Sequence, residues 1–340
     1  MALKGITHSP YLPAQHNFDA ATPTNLYNEF ATAAGCGNSS AVLECLRHKD
    51  TDALQLANFQ VSTRQAYGTW AFYPVTDFDL IPSPTTKALA RRQVNGQTMF
   101  VGHNANEGPL FVPDGINTVE DLKAWLHEAF PTFSDADIEK VLAVNPAPDT
   151  PVDPNAPKYE TNGLTGATAV TVSQVATGHQ QRAANIYAEA IFICPSYWIN
   201  DAYEGRSYHV QYSVPFASHG TDVPAYFGPE TPNQPAEFVQ AYRQMWGNYI
   251  KTGNPSIRSE RAANPFPVWF EGSRLGESTM LNLNTTGGTP YIAATQYGNV
   301  TQFMEPGLEN DFKRVNAYTW EGGRGKRCDF WKSMAPKIPY

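Results

Sequence analysis

Two stretches of this chain, QTMFVGHNANEG (residues 97–108) and SYHVQYSVPFASHG (207–220), share one plan. Each is a short apolar or alternating run, read as a strand, that breaks into a polar, glycine-bounded loop. Helical stretches lie around them. TVEDLKAWLHEAF starts on Thr118, with Asp121 closing a capping box, and SDADIEKVLAV repeats the device at Ser134. HQQRAANIYAEAIFICPSYWINDAY (179–203) reads as one long, largely buried helix, and EFVQAYRQMWGNYIKTG as an amphipathic helix stopped by Gly253 and Pro255. Strands alternating with helices predict an α/β protein with a largely parallel sheet. In such sheets sites gather at the carboxyl ends of strands, and there the two loops place Glu107 and His219.

The rest of the chain is read more coarsely. Residues 23–34 form a helix, with Thr24 as a cap and Leu26, Phe30 and Ala33 on one face; SSAVLECLRH and DTDALQLANFQ add two more. Five prolines between 145 and 165 make that region a surface loop, and the tail carries short strand-like runs such as STMLNLN. Asp222 reads as the cap of a short helix with Pro224 in its first turn. With 340 residues, 41% hydrophobic and 16% charged, the chain is globular and can bury a sizeable core. A net charge of -8 without a basic run speaks against nucleic acid as a partner, and no stretch is long enough for a membrane span.

The chemistry that suits a carboxylate and an imidazole at two strand ends is acyl transfer. A neutral imidazole takes the proton of a serine hydroxyl and returns it to the leaving group, while a carboxylate fixes its tautomer. A loop histidine and an NEG turn are each ordinary alone, and the nucleophile is not written. No G-x-S-x-G occurs; GESTM around Ser278 ends in Met280 and follows His219, and it reads as the start of a strand. GNSSA around Ser39 lacks the second glycine, and the glycine pairs in TTGGTP and EGGRG read as turns rather than an oxyanion loop.

The chain resembles the type-B carboxylesterases, the group that holds cholinesterases and related lipases, and within it the fungal secreted branch. The resemblance runs over nearly all 340 residues and rests on HSPYLPAQ, AAGCGNSSAVLECLR, VGHNANEGPLF, FSDADIEKVLAVNP, QRAANIYAEAIFICPSYW, QYSVPFASHGTDVPAYFG, WGNYIKTGNPS and CDFWKSMAPKIPY in that order. It implies an α/β-hydrolase fold in one domain over 1–340, and ester hydrolysis of a small-molecule or lipid substrate without cofactor or metal. Glu107 then matches the triad acid, His219 the general base, and Ser9 a serine close to the triad. Cys36 pairs with Cys45 and Cys194 with Cys328 by the same resemblance.

In that family the nucleophile elbow, G-E-S-A-G, comes before the segment that begins here at Met1. The expectation is therefore an incomplete hydrolase fold without its N-terminal strands, oxyanion loop and serine: inactive as written, with an open sheet edge that favours aggregation. Alternatives are a non-catalytic binding or adhesion module of the cholinesterase-like kind, and a fragment that assembles with a separate N-terminal piece. A secreted protein is expected from the family, the cysteines and the sequons at Asn38, Asn284 and Asn299, although MALKGITHSPYLPAQ is no signal peptide. Phe111 and Phe216 are candidates to line a pocket beside the two site residues.

Overall fold

A computed structural model of the chain describes residues 4–148, 150–153, 161–270 and 278–338. Its centre is a five-stranded sheet in the order β1 (Lys4–His8), β2 (Thr98–Asn104), β3 (Ser207–Tyr212), β4 (Thr279–Thr295) and β5 (Gly298–Asn316). The first four strands run parallel, and β5 returns antiparallel to β4. Strand order follows chain order, so every parallel step needs a crossover, and the helices provide it. In order they are α1 (Ala21–Ala33), α2 (Val42–Arg47), α3 (Thr51–Ser62), α4 (Thr85–Ala90), α5 (Val119–Ala129), α6 (Asp135–Val144), α7 (Gly178–Ala188), α8 (Cys194–Ala202), α9 (Val223–Phe227), α10 (Ala236–Thr252) and α11 (Trp320–Met334).

The sheet is covered on both faces, which explains why β2 and β3 bury most of their residues. On one face α10 lays Phe238, Tyr242 and Tyr249 against Phe100, Val210 and Leu281. On the other, α5, α7, α8 and α11 share a core holding Leu122, Ile186, Phe192, Trp198 and Trp331. A π-helical turn, Glu189–Ile193, joins α7 to α8, so the helix expected over 179–203 is continuous but interrupted in its hydrogen bonding. Glu189 is buried in that turn, and the Arg327 guanidinium donates to its carboxylate from α11 at 2.8–2.9 Å. Cys194–Cys328 bridges the start of α8 to α11, and a second disulfide, Cys36–Cys45, closes the turn between α1 and α2.

Both capping boxes form, at Thr118 and Ser134, and Gly253 ends α10 in the left-handed conformation. Other readings need correction. α1 starts at Ala21, two residues early, and places Thr24 inside the helix rather than at its cap. Asp222 occupies the cap position of α9, but its side chain caps nothing and turns inward to other partners. The tail is not a set of short strands. It is a long hairpin of 17 and 19 residues, and TTGGTP lies within β4, with a register shift between Gly287 and Thr289. A β-carbon on Gly287 would stand 2.4 Å from the Gly307 carbonyl oxygen, so only glycine lets the two strands approach that closely at the register shift. The prolines at 154 and 157 lie outside the described residues, as do Gly276 and Glu277; Ser278 is buried and donates to the Phe270 carbonyl.

Candidate active site

Three parallel strands, β1, β2 and β3, end side by side, and each releases one polar residue at its carboxyl end. Ser9 follows β1 directly, Glu107 lies three residues beyond β2, and His219 seven beyond β3. Ser9 takes a left-handed backbone (φ 47°) while its N–H still bonds the Gly102 carbonyl at 2.9 Å. The chain therefore turns sharply off the sheet and points the hydroxyl sideways toward the next strand end. Glu107 is held down by the glycine after it: a β-carbon on Gly108 would stand 1.9 Å from the Ala184 carbonyl oxygen. No other residue lets that turn dock against α7.

The Glu107 carboxylate is fully buried and accepts three hydrogen bonds. One oxygen takes the Ser9 hydroxyl at 2.6 Å and the Asn104 N–H at 2.7 Å. The other takes His219 Nδ1 at 2.6 Å. These partners replace the water that a carboxylate gives up on burial. With Nδ1 committed to the carboxylate, the proton sits there and the Nε2 lone pair is free. The His219 side chain is 28% exposed, and among the described residues no hydroxyl or thiol bonds Nε2. Ser9 bonds the carboxylate oxygen that the imidazole does not, so its hydroxyl is committed to Glu107 and not to His219.

Burial works against the charged form of His219, but the hydrogen bond and charge of Glu107 outweigh it, with Asp222 adding, and the ring's pKa is raised above its ordinary value. Phe111 and Phe192 flank the imidazole, with centroids at 5.1 and 4.7 Å. Of the two phenylalanines expected to line a pocket, Phe111 is buried and packs edge-on against the His219 ring. Phe216 is buried instead against Tyr297 at the tip of the β4–β5 hairpin, at 5.7 Å.

Asn104 and Asp222 join the two loops, and the sequence reading missed both roles. The Asn104 amide donates to the Ser218 carbonyl at 2.7 Å and to Asp222 at 3.2 Å, so one residue fixes the acid loop through its backbone and the base loop through its side chain. Asp222 also accepts from the Tyr226 hydroxyl at 2.7 Å and lies 3.4 Å from His8 Nδ1. Burial opposes its charge, but His8, Tyr226 and Asn104 together hold its pKa below the usual carboxylate range. The signal was present in NANEG as two asparagines beside a glutamate, but only pairing of β2 with β3 shows what they reach.

Of the sequons, Asn38 and Asn299 are exposed. Asn284 is fully buried in β4 and has no room for a glycan, which removes it from the expected set. Among the described residues no group of three His, Cys, Asp or Glu gathers to hold a metal, and no helix is long and apolar enough to cross a membrane.

Residues 4–290 match the family model described as the carboxylesterase family. The chain belongs to the carboxylesterase family. Similar curated proteins include Lipase 2 of Geotrichum candidum, 29% identical over 140 residues, covering 38% of this chain and 25% of that protein. Secreted lipase 4 of Gibberella zeae is 22% identical over 263 residues, covering 72% and 43%. Carboxylesterase patB of Penicillium expansum is 21% identical over 267 residues, covering 77% and 43%. The crystal structure of Aspergillus niger EstA superposes with a TM-score of 0.67 at 16% identity, over 99% of this chain and 59% of that one. The fold is thus that of an α/β-hydrolase. The carboxylesterase chain spans less than half the length of these three curated relatives.

Proposed function

We propose that this carboxylesterase chain carries the acid and base of a serine-type ester hydrolase, with His219 as general base, Glu107 as its orienting carboxylate and Ser9 as the hydroxyl that steadies Glu107. The observation that carries the reading is the 2.6 Å contact between the buried Glu107 carboxylate and His219 Nδ1, with Nε2 turned outward between Phe111 and Phe192. In this reading Nε2 takes the proton of a hydroxyl as its oxygen attacks the ester carbonyl. The imidazolium, stabilised by Glu107, then gives the proton to the departing alcohol, and water hydrolyses the acyl-enzyme by the same two proton transfers in turn.

The hydroxyl is the part this arrangement lacks. Among the described residues β1 is an edge strand with no partner on its outer side, and its carboxyl end adjoins Glu107 and His219. We place the nucleophile on a polypeptide segment that pairs with this open edge and so reaches Nε2, and expect no hydrolysis from residues 1–340 alone. The partial coverage of the lipases and esterases it resembles supports this. Their names favour a lipid or small carboxylic ester as substrate, and two disulfides together with a relative named as a secreted lipase favour an extracellular protein.

The test is the native transcript upstream of the Met1 codon. A continuous reading frame that encodes G-E-S-A-G is expected, and its full product should hydrolyse p-nitrophenyl butyrate. His219→Ala should then lower kcat by on the order of 10⁶-fold. Unchanged turnover in that variant, or His219-dependent hydrolysis by residues 1–340 alone, would sink the assignment.

A further inference from the structure

Remote from the site, the outer side of α8 carries a cavity of about 420 Å³ between α4 and the end of α11. Leu89, Trp198, Ala335 and Ile338 form much of its apolar wall, and Lys87 and Lys332 stand among them. None of these residues contacts Glu107 or His219 in the hydrogen bonds and ring contacts of that site. The volume is in the range of small-molecule sites.

Its charge is at odds with the rest of the molecule. The chain has a net charge of -8, yet among the described residues two lysines and no acidic residue line this cavity. Lys332 is loosely held, 3.3 Å from Asp201, which also accepts the Trp269 indole N–H at 2.9 Å. Lys87 is exposed and has no acidic partner among the described residues. The walls are set in advance. Trp198 is buried, and its indole N–H points to the Cys328 carbonyl at 3.4 Å. The Cys194–Cys328 bridge fixes α8 to α11 beneath it.

An apolar hollow with two cations and no anion at its lining suits an amphiphile with one negative head. We propose that this cavity binds a free fatty acid, its chain against Leu89, Trp198 and Ile338 and its carboxylate between Lys87 and Lys332. The proposal does not depend on the hydrolase reading. Like charges at Lys87 and Lys332 also make a second copy of this face a poor occupant.

The experiment is displacement of 11-(dansylamino)undecanoate fluorescence by straight-chain carboxylates and by 1-decanol, on residues 1–340 at low micromolar concentration. Decanoate should displace the probe, with 1-decanol at least about tenfold weaker for want of a charged head. Affinity should rise roughly fourfold per added methylene until the hollow is filled. Lys87→Gln should weaken decanoate about three- to fivefold and leave 1-decanol alone, because an exposed charge contributes modestly. Ala90→Trp, at an exposed position on the rim, should block both ligands, and His219→Ala should change neither. Equal binding of acid and alcohol overturns the proposal. So does binding that His219→Ala abolishes and the cavity variants spare, since that places the ligand at the hydrolase site. A dimer that Ala90→Trp dissociates, without decanoate binding, makes the occupant a second copy and overturns it too.

Discussion

Replacing Glu107 by Gln tests the centre of the site with a single atom. The carboxylate is fully buried and makes three hydrogen bonds at 2.6–2.7 Å. Gln keeps an oxygen to accept from Ser9 and Asn104, but it puts an amide N–H where His219 Nδ1 needs an acceptor. A hydrogen bond to an ionised group contributes about 1.5–3 kcal/mol. Its loss should make protonation of His219 harder, leaving burial as the main influence on the ring. The direction is fixed: His219 titrates above its ordinary pKa with Glu107 in place and should titrate below that value without it. The assay is ¹³C-histidine NMR against pH, with the His219 resonance among the eight histidines assigned by its disappearance in His219→Gln. The same pair should stabilise the fold below the ordinary histidine pKa, and that contribution should fade as pH rises through the raised value. Identical titration midpoints in the parent and Glu107→Gln chains would refute the coupling, and with it the proton placement on which the mechanism rests.

Other consequences are independent of catalysis. His209 is buried with its pKa pushed down to about 3 by desolvation, with the charge of His8 adding, and burial holds His103 well below its usual value too. Both stay neutral in the fold while their unfolded counterparts take up protons below about pH 6.5, so their burial should lower stability from pH 7 to pH 5, read from urea midpoints in a His219→Ala background that removes the opposite contribution of His219; a flat profile there would contradict their burial. Replacing Cys194 and Cys328 by Ser opens a loop of 134 positions and should cost roughly 5 kcal/mol, against roughly 3 for the 9-position Cys36–Cys45 loop, on the chain-entropy model. Comparable losses from the two pairs would mean that native-state effects dominate. Phe227 and Ile250 are 75% and 61% exposed, and Lys4 at the open edge bonds the Ile250 carbonyl. Sedimentation should show residues 1–340 associating through this side as concentration rises, and a monomer up to 100 μM would remove the idea of a sticky edge.

The local signals in the chain carried a long way. Apolar runs ending in polar loops marked β2 and β3, because a strand buried on both faces must be apolar and its exit need not be. Caps at Thr118, Ser134 and Gly253 were legible because each satisfies backbone groups within a few residues of itself. The β4–β5 hairpin was not legible. Its length depends on glycines that let two strands approach closely and on pairing partners up to 37 residues apart, and local alternation reports neither. Asp222 misled for a related reason. Its position says helix cap, but a buried carboxylate goes to the stronger partners, and His8 and Asn104 lie 214 and 118 positions away in the chain.

The sequence by itself determined that Glu107 and His219 each follow a strand at its carboxyl end, and that no serine elbow is written between Met1 and Tyr340. Only the tertiary structure decided which atom faces which. It put Nδ1 on the carboxylate and Ser9 behind it, and left Nε2 to the outside, because those contacts span 112 and 98 positions and exist only once β1, β2 and β3 lie in register. A strand pattern can place a residue at an edge, but a hydrogen bond of 2.6 Å is set by the packing of the whole sheet.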